Sequence, residues 1–371
     1  KTGKKMSKSL GNSIDPLEII SVQGADALRF SMMMITAQGA DVFLAKDTFD
    51  IGRNFGNKLW NASRFLLGTI DQPVRIDGLP ADERLKPEDR WILNRLHRAI
   101  QSGTIALDGF RFNEYCRLLY DFTWGDYCDW YIEMKKPDLY QTQDPARQDD
   151  ARTICAYVLT QILKLLHPVM PFITEEIWSH VREKVSFPAA IDNRWIMKAA
   201  FPVAESTRID EGIDTRFSLL QEVVTALRTI RAENNVPPEK KGQAVIIPES
   251  VEDAAWLRSQ IPVINLFARL SDTTVDTGAA APSFAGQSVV RGIRIHLLLE
   301  GLIDRQVEIG RLTKEIARVR TLADSTGKRL DSAGFADKAP ADVVKREREK
   351  YEGLLVSLRK LEDSLAALER I

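Results

Sequence analysis

Apolar residues recur at helical spacing through most of this chain. Between about Phe49 and Trp178 the pattern is almost continuous. Asn54 to Leu67 carries Phe55, Leu59 and Leu66 near one face, and Asp89 to Leu107 repeats the rhythm with Trp91, Ile92, Leu96 and Ile100. Phe112 to Met134 is rich in aromatics and is followed by Lys136-Pro137. Ala151 to Leu166 forms another stripe, closed by His167-Pro168, and Pro171 opens a helix containing Ile173 and Ile177. Short polar or Pro-containing joins, such as Asp71–Pro80 and Tyr140–Gln148, suit an α-helical bundle. Ahead of it, Asp15 is a good N-cap, Pro16 suits the first helical position and Glu18 supplies an early acid. A second helix is predicted from about Asp26 through Met34.

The rhythm then changes twice. Ser179–Glu205 is irregular, with Pro188 and Pro202, and reads as a boundary. Thr215 to Asn234 is amphipathic through Phe217, Leu220, Val224 and Leu227, and Pro237-Pro238 end it. Short β-like runs follow at Ala244–Ile247, Thr273–Asp276, Ser288–Arg291 and Gly292–Leu299. Helical segments lie around Asp253–Ser259 and Val263–Leu270, which together make a small α/β module. Finally, Tyr351, Leu354, Leu358, Leu361, Leu365 and Leu368 form a heptad seam, and Ile309, Leu312, Ile316 and Val319 share its rhythm. The break at Ser325–Pro340 predicts an antiparallel coiled-coil hairpin, each helix roughly 35–40 Å long at 1.5 Å per residue. The expected architecture is mainly α. Residues 1–45 form a leading helical segment, 46–205 a helical bundle, 206–300 the α/β module and 301–371 a coiled-coil arm.

Bulk composition narrows the function. An apolar fraction of 44% with 28% charged residues fits an ordinary soluble protein. The net charge of −1 gives no global field for nucleic acid, so any such binding must come from local patches. Cys116, Cys128 and Cys155 are scattered, with no C-x-x-C pair, so no zinc ribbon is encoded and core thiols in a reducing cytosol are expected. No apolar run approaches the ~20 residues of a membrane span.

The densest chemistry is Lys5-Met6-Ser7-Lys8-Ser9, followed by Leu10-Gly11-Asn12 and Asp15-Pro16. Lysine is a compact charge on a flexible stem, suited to holding phosphate. A basic surface loop is the plain alternative. Cys128 lacks an adjacent histidine and carries no sign of a nucleophile. Asp126, Asp129 and Glu133 are expected in caps or ion pairs rather than around a metal. Arg53, Asn54, Asn57, Lys58 and Arg64 recur on one polar helix face, which is either solvated or turned toward RNA. The arm holds 15 Lys and Arg against 13 Asp and Glu, close to balance. Its basic residues gather near the tip at Lys328, Arg329, Lys338, Lys345, Arg346 and Arg348, a candidate contact for RNA phosphates. Self-association is the rival use of the heptads.

Five stretches carry a family resemblance: Lys5–Asn12 with Asp15-Pro16; Gly24-Ala-Asp-Ala-Leu-Arg-Phe30; Arg53-Asn-Phe-Gly-Asn-Lys-Leu-Trp-Asn61; Cys128-Asp-Trp-Tyr-Ile-Glu133; and Leu166-His-Pro-Val-Met-Pro-Phe-Ile-Thr-Glu-Glu-Ile-Trp178. Over essentially its whole length the chain resembles the C-terminal part of the bacterial-type valyl-tRNA synthetases of class I. Cys128–Glu133 and the closing hairpin favour this over the isoleucyl and leucyl members, and the C-terminal cysteine cluster frequent in isoleucyl enzymes is missing. The resemblance implies a cytoplasmic, monomeric enzyme that activates valine with ATP and Mg²⁺ and esterifies valine tRNA. A separate upstream domain would hydrolyse mischarged threonyl-tRNA. It makes Lys5 and Lys8 the catalytic residues and places Ser7, Lys8 and Ser9 at ATP. It assigns anticodon reading to the bundle, with Arg53, Lys58, Arg64 and Phe65 as contacts. The hairpin, through Lys328, Arg329, Lys345 and Arg346, would touch the outer corner of the tRNA. No metal is expected on protein ligands, and this stretch alone is expected to be inactive. An isoleucyl-type fragment and a non-enzymatic helical scaffold are the alternatives.

Overall fold

The computed structural model describes Met6 and residues 13–37, 39, 42, 44–188, 194–303, 305–330, 332 and 341–369. The fold is mainly α, and its contacts divide it into two units, Lys1–Phe217 and Ser218–Ile371.

In the first unit, α1 (Pro16–Gln23) starts where the Asp15 carboxylate accepts the Leu17 N–H at 2.9 Å. It ends at Gly24, whose φ of 92° reverses the chain into α2 (Ala25–Ile35). Next comes α3 (Asp50–Leu67). The two helices approach closely at Gly52, where a Cβ would stand 2.4 Å from the Ala27 carbonyl oxygen, so only glycine fits. Beside that contact Phe30 stacks on Phe55 with centroids 4.6 Å apart.

The bundle continues with α4 (Pro87–Asp108), α5 (Phe112–Tyr120), a π-helical stretch (Asp121–Tyr131), α6 (Ile132–Tyr140), α7 (Pro145–Leu166) and α8 (Pro171–Lys184). By local propensity Lys136-Pro137, which follows the aromatic-rich run to Met134, should close the helix. Instead α6 runs through Pro137, because Met134, Lys135, Asp138 and Leu139 are buried on both sides of it. That packing outweighs the roughly 3 kcal/mol a helical proline costs. Most of the aromatic stretch is core, as its helical spacing suggests: Phe122, Tyr127 and Tyr131 are all buried. A two-residue parallel pair joins β1 (Val74–Arg75) to β2 (Val185–Ser186).

Within the second unit the remainder of α9 (Glu211–Glu233) leads into a four-stranded sheet. Its strands are β3 (Gly242–Ile247), β4 (Leu270–Val275), β5 (Ala285–Val290) and β6 (Ile293–Leu298), in the order β4-β3-β6-β5. β3 and β4 run parallel, joined through α10 (Val251–Ser259) and α11 (Ile261–Ala268); β6 is antiparallel to both β3 and β5. The chain closes with α12 (Arg305–Leu330) and α13 (Ala341–Glu369). They pair antiparallel, since Arg320 meets Glu362 and Arg329 meets Glu347. The buried seam of α12 is Leu312, Ile316, Val319, Ala323 and Thr326, with the alternating three- and four-residue steps of a heptad.

Candidate RNA-binding surface

α3 buries Phe55, Leu59 and Leu66 and leaves Arg53, Asn54, Asn57, Asn61 and Arg64 exposed. The structure sorts the four residues expected to meet RNA. Arg53 closes on Asp50 of its own helix at 3.1 Å. Lys58 donates to Asp129 at 2.5 Å and lies 5.5 Å from the centre of the Trp124 ring. Both cations therefore have partners within the protein. Arg64 is exposed, with no side-chain partner among the described residues. Phe65 is half-buried and meets Tyr140 edge-on, with centroids 5.5 Å apart at 65°.

Two residues of this patch escaped sequence reasoning. Lys136 sits 5.4 Å over the Phe65 ring while Glu133 holds its ammonium at 2.7 Å. Tyr140 is 56% exposed at the end of α6. Their signal is the helical spacing from Glu133 to Tyr140, which shows only when the helix is carried through Pro137. An open aromatic pair beside cations can stack an unpaired base and hold its phosphate.

A buried ionic cluster fixes α6 beneath this patch. Lys135 lies 2.9 Å from Asp89, 3.1 Å from Asp138 and 3.4 Å from Glu88, and the Tyr131 hydroxyl donates to Asp89 at 2.7 Å. Burial works against the Lys135 charge, but Asp89, Glu88 and Asp138 outweigh it and push its pKa up. Glu88 is shifted up by burial. Burial likewise opposes ionisation of Asp138, yet Lys86 at 2.6 Å and Lys135 hold its carboxyl below the usual range. The other acids form ion pairs, as expected of them: Asp126 with Arg95 at 2.7 Å, Asp129 with Lys58 and Glu133 with Lys136. Burial pushes the Cys128 thiol up to about 12, which rules out a ready thiolate.

α2 is tied to the start of α8. The Asp26 carboxylate accepts the N–H groups of Phe172 and Ile173, while Arg29 donates to the carbonyls of Pro168 and Val169 at 3.0 Å. Pro171, at the first helical position, has no N–H to place. Asp26 thus caps a helix far along the chain.

Lys5, Ser7, Lys8 and Ser9 lie outside the described residues, as does Lys338. On the hairpin Lys328, Arg329, Lys345 and Arg346 are exposed, with Arg329 3.6 Å from Glu347. Among the described residues no group of His, Cys, Asp or Glu is arranged to hold a metal ion, and no helix is long and apolar enough to cross a membrane.

Comparison with known proteins identifies three modules. Residues 1–45 match the class I tRNA synthetases for isoleucine, leucine, methionine and valine. Residues 89–247 match the anticodon-binding domain of tRNA ligases, and 304–369 the valyl-tRNA synthetase tRNA-binding arm. The valine–tRNA ligase of Geobacter sulfurreducens is 41% identical over all of this chain, which covers 40% of that protein. Those of Bacillus cereus and Fusobacterium nucleatum are 38% and 34% identical over 99% of it, each covered to 41%. The chain thus spans about two fifths of the length of these relatives.

Proposed function

The chain belongs to the valine–tRNA ligases, class I aminoacyl-tRNA synthetases, whose C-terminal part it matches; from this we propose that it is the tRNA-grasping part of an enzyme that activates valine with ATP and charges valine tRNA. The observation that carries the reading is the Phe65–Tyr140 pair, with Lys136 over one ring and Arg64 next to it in sequence. This patch lies on the helical bundle, where anticodon bases are unpaired and can be splayed onto aromatic rings. Arg64 is the main phosphate contact. Arg53 and Lys58 shape the surface through Asp50 and Asp129 and reach RNA only by exchanging those partners.

The hairpin is the second grip. Lys328, Lys345 and Arg346 meet the phosphates of the tRNA's outer corner, with Arg329 partly engaged by Glu347. The lysine loop supplies the link to chemistry: Lys5 and Lys8, with Ser7 and Ser9 shaping the loop, would meet the phosphates of ATP supplied with Mg²⁺, and Lys8 would steady the charge on the leaving pyrophosphate. The enzyme acts as a monomer in the cytoplasm.

Chemical footprinting of valine tRNA with this chain tests the reading. Protection of both the anticodon loop and the outer corner is expected. Protection confined to helical backbone, with the loop fully reactive, contradicts it.

A further inference from the structure

Between α3 and α8 opens a cavity of about 380 Å³, lined among others by Trp60, Arg64, Leu67, Ile177, His180 and Glu183. That volume falls in the ~300–1,000 Å³ range of small-ligand sites. The aromatic patch described above does not use it. Trp60 and Arg64 are four residues apart and share a helix face, whereas Phe65, one residue on, points about 100° away. Arg64 therefore stands where the patch and the cavity meet.

The lining suits one kind of occupant. Leu67 and Ile177 give an apolar floor, and Trp60 gives a flat wall steadied by His180, whose ring meets it edge-on at 5.9 Å and 71°. Arg64 offers a cation at the rim. Glu183 is exposed on α8 and, among the described residues, has no ion-pair partner. An ionised carboxylate only accepts hydrogen bonds, so it selects a ligand edge that donates. A flat heterocycle with an exocyclic amine, attached to a phosphate, satisfies all three features.

We propose that this cavity takes one unstacked, amine-bearing nucleobase of the bound RNA, next to the base stacked on Phe65 and Tyr140. The inference rests on the RNA reading and deepens it, because it gives one unpaired base of the bound RNA a site of its own beside the aromatic patch. Trp60 packs the base face, Glu183 accepts from the amine and Arg64 holds the phosphate between the two bases.

The test uses valine tRNA transcripts in which the amine of each anticodon-loop base is removed singly, with purine riboside, inosine or zebularine as replacements. Each is titrated with the chain and with Glu183→Ala, whose position is exposed and whose folding is checked by thermal melting. At one loop position, removal of the amine should weaken binding about tenfold to the native chain and less than twofold to Glu183→Ala, as expected when both changes delete one charged hydrogen bond. Losses that simply add at every position, or native affinity in Glu183→Ala, overturn the proposal. If the chain still prefers the native anticodon in that case, only the cavity assignment falls. If it never distinguishes anticodons, the RNA reading falls with it.

Discussion

The carboxylate of Asp26 accepts the backbone N–H of Ile173 at 2.6 Å, across 147 residues of chain. This joins two of the stretches that carry the family resemblance, the turn from Gly24 to Phe30 and the segment from Leu166 to Trp178. α8 begins at Pro171 with no good capping side chain of its own, and α2 provides one. Asp26→Ala should destabilise the first unit by about 1 kcal/mol, the usual loss for an N-cap. Asp26→Asn should lose only part of that. Urea unfolding of the two variants measures the difference; equal losses would show that the carboxyl oxygen is not acting as a cap.

Lys135 is buried among three carboxylates, and removing it strands their charge. Lys135→Met should destabilise by about 3–5 kcal/mol, in line with breaking a buried pair from one side. The loss should appear in unfolding midpoints and also in RNA affinity, because α6 carries Lys136 and Tyr140. A stable Lys135→Met that binds RNA normally would remove the cluster from the account.

Asp138 gives this cluster a pH signature. Its folded carboxyl lies below the usual range, so near acid pH the unfolded chain binds more protons than the folded one. Stability from Asp138 is therefore complete well above pH ~4 and is lost as pH falls through the folded value. Asp138→Asn should be clearly less stable than the native chain at neutral pH, and the gap should close as the acid limb is reached. A constant gap at every pH would mean that packing, not charge, is what Asp138 contributes.

Arg64 and Arg53 lie on one helix face but should behave differently. Arg64→Ala should weaken tRNA binding and reduce the salt dependence by about one phosphate contact. Arg53→Ala should change both less, since Asp50 already engages that guanidinium. Affinity measured over a salt series checks both. The reverse ranking would move the RNA path toward the start of α3.

Phe65→Ala should cost about 1–3 kcal/mol of binding, the worth of stacking one base on an aromatic ring. Melting of the free variant separates this from loss of the Tyr140 contact. Undiminished affinity in a folded Phe65→Ala would remove the platform.

Much of this architecture is legible in the sequence, because helices announce themselves by a local period. The buried faces of α3 and α4, the β-runs near residues 244 and 293 and the seam of α12 all follow from spacing alone. Partners across the chain do not. Nothing in the spacing of Arg53 or Lys58 reveals that Asp50 and Asp129 engage them. The Lys135 cluster draws acids from α4 and α6, and a lysine in the Lys135-Lys136-Pro137 run reads as surface. Pro137 also misleads, since local propensity ends the helix where burial carries it on, and so hides Lys136 and Tyr140 from the candidate site. The lysine loop is the opposite case: its meaning lies wholly in residue order, and its residues are outside those described here.

The central claim is that these residues contain anticodon recognition, and one titration tests it most directly. The chain is titrated with valine tRNA and with a transcript differing only in its anticodon, both across a range of salt. Tighter binding to the native anticodon is predicted, with the two salt slopes parallel because the same phosphates are held in both. Equal affinities at every salt concentration would contradict it, leaving a chain that grasps RNA backbone without reading the loop.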